Sequence, residues 1–246
     1  MKFAVITENS NDNLMKKNNV NNFRIFPLGE NALTIELADY ISSEVNHRVI
    51  SIANYFEENP FPGLIEMVPA YSSLTLFYNV YVVKHTFSEF PTVFETVKHL
   101  VENSLSNLTD VVSFNQRLIK IPVNFNPQSA PDLEFVTKLN GLNRKQFINI
   151  FTSRIYRVYM LGFLPGFAYM GEIDEKIAAP RKDTPRTEVT KGSVGIAGTQ
   201  TGIYPLESPG GWQIIGKTDL EMFDPKAENP CILSVGDSVK FYEHHF

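Results

Sequence analysis

The segments YRVYMLGFLPGF (156–167), PRKDTPR (180–186), QTGIYP (200–205) and SPGGW (208–212) belong to the stretch that decides the fold. Gly and Pro fix special backbone turns, and here they recur every few residues between short apolar runs. Short strand-like segments between such turns are typical of a β-barrel or sandwich. We therefore predict that the second half of the chain is mostly β. The aromatic rings and arginines between the turns indicate a shaped surface that recognises a ligand.

Outward from this stretch, the first half of the chain predicts a small α+β domain. Ser42 is placed as a helix N-cap, and apolar residues at helical spacing follow it, whereas Pro91 is placed in the first turn of a later helix. The predicted elements are strands at 23–26, 32–37, 64–68 and 73–78 and helices starting at Ser42 and at about Ser88. The order β-β-α-β-β-α places helices on one face of a sheet.

Three regions are predicted along the chain. Residues 1–22 are rich in asparagine and poor in apolar groups, so we expect a disordered extension. Residues 23–115 form the α+β domain. Residues 116–246 form the mostly-β domain, which the pattern opens with a strand at 118–123.

Local signals refine the second domain. Ser129-Ala130-Pro131-Asp132 predicts a capping-box helix start, and Asn143 to Gln146 predicts the start of another short helix. Gly236-Asp237, followed by apolar residues in alternation, predicts a closing hairpin.

Composition bounds the class of protein. The chain is 43% hydrophobic and 20% charged, with a net charge of −5 and no dense run of Lys or Arg. This argues against a nucleic-acid partner and against an anionic membrane surface. Cys231 is the single cysteine, which suits a reducing cytosol, and no apolar stretch is long enough to span a bilayer. We expect a cytoplasmic protein.

One segment matches a nucleotide-binding sequence pattern. Residues 211–218 (GWQIIGKT) match the literal Walker A pattern. A phosphate-binding loop needs a small, flexible interior followed by a helix, but this interior is bulky and strand-like, and Pro225 soon follows. We interpret the segment as a barrel strand.

The candidate ligand-binding residues lie on the Gly/Pro-rich stretch. Prolines hold the arginines of 180–186 in an extended segment, and guanidinium groups pair bidentately with carboxylate or phosphate. Amide, hydroxyl, phenol and indole groups nearby suit a carboxylate or lactam in a partly apolar pocket. The predicted substrate-binding residues are Arg181, Arg186, Gln200, Thr201, Tyr204 and Trp212. The predicted pocket or interface residues are Tyr159, Phe163, Phe167, Tyr169 and Ser208.

The histidines and the cysteine form no recognisable catalytic or metal-binding motif in the sequence. Only the terminal pair among the five histidines is closely spaced, so we predict no metal, and Cys231 has no adjacent base that would activate it. No catalytic residue can be named from the sequence.

The dense motifs from Tyr156 to Phe246 resemble those of the B subunit of the ATP-dependent 5-oxoprolinase, a family that includes the Kip-type inhibitors of a histidine kinase. The same module, formerly labelled allophanate hydrolase subunit 1, forms part of the carboxyltransferase region of urea carboxylase. The resemblance covers the chain from about Phe23 and implies a cyclophilin-like β-barrel after the α+β domain.

The resemblance also implies a function. The leading hypothesis is ATP-coupled opening of 5-oxo-L-proline to L-glutamate, in a complex with a biotin-carboxylase-like C subunit and a sugar-deacetylase-like A subunit. One alternative is a Kip-type kinase inhibitor that acts as a binding protein. Another is a carboxyltransferase module that uses biotin on a partner, for urea or a related amide. Two departures from the family pattern stand out: Phe151 replaces a frequent histidine, and Thr190-Lys191 replaces a typical Pro-Ala pair.

Overall fold

The computed structural model describes residues 23–107 and 117–244. The extension predicted for residues 1–22 and the domain boundary predicted at 115/116 lie outside the described residues. Within the described ranges there are two separate main sheets, each with its own buried apolar core.

The first sheet is antiparallel, with the strand order β1-β2-β4-β3. Alternate residues of β4 are buried, and Leu74 and Leu76 share an apolar core with helix residues such as Val49. This alternation leaves one face of the strand for the helices, the arrangement expected of an α+β domain. The elements are β1 (Arg24–Pro27), β2 (Ala32–Glu36), α1 (Ser43–Glu58), β3 (Leu64–Pro69), β4 (Ser73–Tyr78), α2 (Val80–Thr86) and α3 (Val93–Asn107).

Helix α1 forms where its cap and apolar spacing predict it. The Ser42 hydroxyl accepts a hydrogen bond from the Val45 backbone N–H at 3.1 Å. This contact satisfies one of the free N–H groups of the first turn. The apolar face of the helix is buried at Val45, Val49, Ile52, Ala53 and Phe56.

The helix after β4 was not predicted. Asn79 caps α2, and its side-chain oxygen accepts from the Val82 N–H at 3.0 Å. The sequence Val80-Tyr81-Val82-Val83 favours a strand by residue type, so its propensity concealed the cap. Pro91 also lies before α3 rather than in its first turn, because that helix begins at Val93.

The second sheet has seven strands in the order β12-β9-β10-β7-β6-β13-β5. A separate two-stranded sheet joins β11 to β8. Helices α4 and α5 contribute to the core beneath the large sheet. The elements are β5 (Leu118–Val123), α4 (Leu133–Leu139), α5 (Arg144–Ser153), β6 (Tyr156–Leu161), β7 (Ala168–Gly171), β8 (Arg186–Val189), β9 (Ser193–Ala197), β10 (Gln200–Ile203), β11 (Ser208–Gly210), β12 (Gln213–Lys217) and β13 (Ser238–Glu243).

The outer strands of the large sheet approach each other. Directly after β5, the Asn124 N–H donates to Lys217 O at 2.8 Å, and the Lys217 N–H donates back to Asn124 O at 3.0 Å. These bonds connect the two ends of the strand order, so the sheet is nearly closed and barrel-like. The mostly-β prediction for this half of the chain is confirmed.

Two local predictions in this half are wrong. Asp132 precedes α4, but its side chain makes no capping hydrogen bond; the capping box lies at Asn143 and Gln146, at the start of α5. Strand β13 does not close a hairpin, because it pairs in parallel with β5 and antiparallel with β6. The Asp132 side chain instead accepts from Arg186 and from the Ile214 N–H. Both outcomes therefore depend on partners that are distant in sequence.

The segment that matches the Walker A pattern forms strand β12, as interpreted from the sequence. Its residues pair with β9, and the strand is followed by irregular backbone instead of a helix.

Asn46 of α1 connects the two sheets. This side chain is fully buried, and its amide nitrogen donates to Tyr159 O at 3.0 Å and to Ala70 O at 3.1 Å. Its oxygen accepts from Arg157 Nε at 3.0 Å. One amide therefore fixes helix α1, the turn before β4 and strand β6 relative to one another.

None of the helices within residues 23–107 and 117–244 combines the length and the apolar character needed to cross a bilayer.

Candidate functional site

An aromatic cluster lies on the second sheet, around Phe167. The Phe167 ring meets Tyr169, Tyr204 and Trp212 edge-on, at centroid distances of 4.8, 5.2 and 5.5 Å. Tyr169 also contacts Trp212 at 5.8 Å. The cluster joins β7 to the turns that follow β10 and precede β12, so it brings together four residues named from the sequence.

Arg181 lies beside this cluster. Its guanidinium carbon is 6.0 Å from the centre of the Trp212 ring, within cation–π range. The side chain is exposed, and no carboxylate of the described residues pairs with it. Burial raises the pKa of Tyr169, and the charge of Arg181 partly opposes that rise. Arg181 therefore presents an uncompensated cation next to aromatic rings.

Arg186 has a different environment. Its Nη2 lies 2.6 Å from Oδ1 of Asp132, a carboxylate that is 7% exposed. Asp132 also accepts from Lys182 at 3.3 Å and from the Ile214 N–H at 2.6 Å. The Arg186 Nη1 atom is buried and has no hydrogen-bond partner among the described residues. The structure thus gives Arg186 an ion pair within the protein, between β8 and the start of α4.

Thr201 and Tyr204 are buried and bonded internally. The Thr201 hydroxyl donates to Gly195 O at 2.9 Å. The Tyr204 hydroxyl accepts from the Trp212 backbone N–H and passes so close to Gly210 that a Cβ there would lie 2.5 Å from it. Thr201 is therefore bonded within the sheet, whereas the Tyr204 ring is part of the cluster.

Phe163 lies at the margin of the cluster, and Ser208 lies on β11 opposite Val189 of β8. Phe163 is 60% exposed and has φ = 69°, which is rare for a bulky residue. Its ring meets Phe167 edge-on at 5.5 Å. The Ser208 hydroxyl donates to the carbonyl of Pro209 at 3.1 Å. Phe163 is therefore held outward on a constrained loop.

A cavity of about 530 Å³ opens beside Tyr71 and Tyr159, and it is lined by neither Arg181 nor the rings of the aromatic cluster. Gln200 and Tyr159, both named from the sequence, line it. The Tyr159 hydroxyl donates to Glu172 Oε1 at 3.0 Å. Burial and this hydrogen bond raise the pKa of Tyr159 to about 12. Arg154 and Asp174, which form an ion pair, also line the cavity.

Tyr71 is a site residue that the sequence did not reveal. It lies in the turn before β4, and its ring stacks on Tyr159 at 5.3 Å and meets Tyr169 edge-on at 6.4 Å. Its hydroxyl is buried and has no hydrogen-bond partner among the described residues. No local pattern near Tyr71 marks it, because its neighbours come from the other half of the chain.

Phe151 and Lys191, which depart from the family pattern, both contact other residues of the protein. Phe151 is fully buried, stacks on Phe241 at 5.0 Å and contacts Tyr156 at 5.3 Å. Lys191 lies in the turn before β9 and pairs with Glu221. Across residues 23–107 and 117–244, no three His, Cys, Asp or Glu side chains are grouped closely enough to hold a metal ion.

Arg181 and the aromatic cluster suit a small ligand that is anionic and partly apolar, because the guanidinium offers charge and the rings offer apolar faces. The cavity beside Gln200 differs in charge, since Glu172, Asp174 and Glu175 line it together with Arg154. The described residues include no apparent nucleophile paired with a base at the cluster.

Comparison with known proteins agrees with the motif resemblance. The family model of the carboxyltransferase domain, subdomain C and D, matches residues 23–233. The chain is 47% identical over 220 residues to the B subunit of 5-oxoprolinase from Bacillus subtilis, an alignment that covers 89% of this chain and 92% of that relative.

Solved structures share the fold. The crystal structure of TTHA0988 superposes with a TM-score of 0.74 at 32% identity, over 87% of this chain but only 40% of that one. The urea carboxylase of Kluyveromyces lactis, at 18% identity and a TM-score of 0.70, covers 91% of this chain and 22% of its own. The latter likeness concerns the fold alone. The chain belongs to the carboxyltransferase subdomain C and D family and, within it, to the B-subunit proteins of 5-oxoprolinase.

Proposed function

We propose that this chain acts in the ATP-dependent opening of 5-oxo-L-proline to L-glutamate, as the B subunit of a complex with the A and C subunits of 5-oxoprolinase. The identity to the Bacillus subtilis protein over most of both chains supports this function. The observation that carries the proposal at the level of the site is the unpaired Arg181 beside Trp212.

Arg181 has the chemistry to bind an anionic group of the substrate complex. 5-Oxoproline has a carboxylate and a small apolar ring, which match a guanidinium group beside aromatic faces. If the lactam oxygen is phosphorylated during the reaction, the same cation can stabilise the transferring phosphoryl group. Either role needs Arg181 to be free of internal carboxylates.

We propose that ATP binds to the complex rather than to this chain alone. Hydrolysis of a stable lactam is unfavourable, so coupling to ATP gives the reaction a driving force. The segment resembling a nucleotide motif is a paired strand and lacks the loop that cradles phosphate.

The alternatives receive less support. The likeness to urea carboxylase is at 18% identity and concerns only the fold, so biotin use is not part of the proposal. The exposed Phe163 suits contact with another protein, and in this proposal that protein is another member of the complex.

The same proposal includes the domain organisation and compartment. We propose an α+β domain at 23–115 and a cyclophilin-like domain at 116–246, in a cytoplasmic protein. The separate cores of the two sheets support the division, and the single cysteine suits the cytoplasm.

Reconstitution tests the proposal. The A and C subunits are mixed with this chain, ATP and 5-oxo-L-proline, and L-glutamate is measured. We expect glutamate only when all three proteins and ATP are present. Equal glutamate formation without this chain would refute the proposal.

A further inference from the structure

We propose that the Tyr71 hydroxyl, from the turn before β4, donates a hydrogen bond to the lactam carbonyl oxygen of the ligand whose carboxylate Arg181 binds. The binding site would then use residues from both sheets. The identity of the ligand rests on the proposed function.

The first support is an unsatisfied polar atom. The Tyr71 hydroxyl is buried but bonds to no group of the described residues. Burying a hydroxyl without a partner costs free energy, so such atoms are uncommon and need an explanation. A ligand oxygen would supply the missing acceptor.

The second support is position. Tyr71 stacks on Tyr159 and meets Tyr169 edge-on, which places it between the cavity and the aromatic cluster. Tyr169, which Tyr71 meets edge-on, also meets Trp212 at 5.8 Å, and the Arg181 guanidinium carbon lies 6.0 Å from the centre of that indole ring. A ligand that lies against Tyr169 would therefore lie between Tyr71 and Arg181.

The protonation state suits a donor. Burial, followed by the neighbouring Tyr169 and Tyr159, raises the pKa of Tyr71 well above its ordinary value. The phenol therefore keeps its proton at neutral pH. A protonated phenol can donate to a carbonyl, and the ring that surrounds the carbonyl would rest against aromatic faces.

The turn that carries Tyr71 is held in place. The Asn46 amide donates to Ala70 O at 3.1 Å and to Tyr71 O at 3.4 Å while it also bonds to Tyr159 O. This fixes the Tyr71 backbone relative to β6. Asn46 is a positioning residue in this proposal, since it acts through Tyr71.

The test uses Tyr71→Phe in the reconstituted complex, with Tyr81→Phe as the matched control. Tyr81 is 70% exposed on α2, away from the site. Tyr71→Phe removes only an unpartnered hydroxyl, so its melting temperature should equal or exceed that of the wild type. We expect kcat/KM for 5-oxoproline to fall by about 10-fold or more, the effect of one lost hydrogen bond in a buried site, and to be unchanged in Tyr81→Phe.

Cyclopentanecarboxylate separates the carbonyl contact from general shape. This inhibitor keeps the ring and carboxylate but lacks the lactam carbonyl, so its inhibition constant should be the same for wild type and Tyr71→Phe. An unchanged kcat/KM for 5-oxoproline, or equal weakening of the inhibitor, would overturn the proposal. A wild-type complex that does not open 5-oxoproline would instead overturn the proposed function, and the Tyr71 proposal with it.

Discussion

At the scale of single residues, the two arginines of the 180–186 segment have different tasks. Arg186 pairs with the nearly buried Asp132, whereas Arg181 has no carboxylate partner in the described part of the chain. Arg186→Ala should lower the free energy of unfolding by about 1.5–3 kcal/mol, because it removes a charged hydrogen bond from a buried acceptor. Arg181→Ala should change it by less than about 0.5 kcal/mol.

Urea unfolding of the two variants measures this difference. Arg144→Ala, an exposed arginine on α5, is the matched control and should behave like Arg181→Ala. Equal stability of the Arg181 and Arg186 variants would contradict the separation of their roles.

Buried tyrosines make stability depend on alkaline pH. Burial raises the pKa of Tyr159 to about 12, from an ordinary value near 10. The folded state therefore holds this proton more tightly than the unfolded state. The stabilisation is complete below about pH 10 and is lost as pH rises from there through about 12.

The urea midpoint should fall between pH 10 and pH 12, with tyrosinate absorbance appearing together with unfolding. Tyr159→Phe should make the fall shallower. Full tyrosinate absorbance in a protein that stays folded would contradict the claim that burial raises the pKa of these phenols.

At the scale of elements, Gly216 allows the barrel-like sheet to close. A Cβ at Gly216 would lie 2.5 Å from Val123 Cγ1 and 3.2 Å from Asn124 O. Gly216→Ala should therefore lower the melting temperature by several degrees, the cost of overpacking a core of about 1–3 kcal/mol. Gly29→Ala, in open space, tests for strain from its φ of 67° alone. Equal melting temperatures of Gly216→Ala and wild type would contradict the close approach of β5 and β12.

The strand conformation of β12 leads to a prediction about ATP hydrolysis. The isolated chain should show no steady ATP hydrolysis, because Lys217 lies at the end of a paired strand. The assay compares the wild type with Lys217→Ala. Turnover by the isolated chain that this substitution abolishes would show that the strand interpretation misses a nucleotide site.

Elements with local signals could be predicted from the sequence. Helix α1 has a serine cap and five apolar residues at helical spacing, and β5 was placed at its observed bounds. Helix α2 could not be recognised because three valines and a tyrosine, residue types that favour strands, fill its first turn. The parallel pairing of β13 with β5 joins segments about 120 residues apart, and no local pattern specifies such a register.

At the scale of the whole molecule, Asn46 couples the two sheets. Asn46→Ala would leave the Tyr159 carbonyl and Arg157 Nε without this partner in a buried junction. We expect a loss of about 2–3 kcal/mol in the free energy of unfolding. Asn54→Ala on the same helix is the control and should change stability much less. Equal effects of the two substitutions would contradict the role of Asn46 as a connection.

The candidate site was predictable in part at this scale. Phe167, Tyr169, Tyr204, Trp212 and Arg181 come together because they lie on one glycine- and proline-rich stretch whose strands are neighbours. Tyr71 could not be predicted, because its place depends on how the first sheet rests on the second. The internal partner of Arg186 was missed for the same reason: Asp132 lies 54 residues earlier in the chain.

Glutamate formation by the reconstituted complex is the most direct test of the central claim, that this chain provides the Arg181 site for opening 5-oxoproline. The measurement compares wild type, Arg181→Ala, Arg181→Lys and the control Arg144→Ala, with the A and C subunits and ATP held constant. We predict a loss of about 10-fold or more for Arg181→Ala, poor rescue by Lys because it lacks the planar fork, and full activity for the control. Full activity of Arg181→Ala, with the whole complex assembled, would contradict the claim.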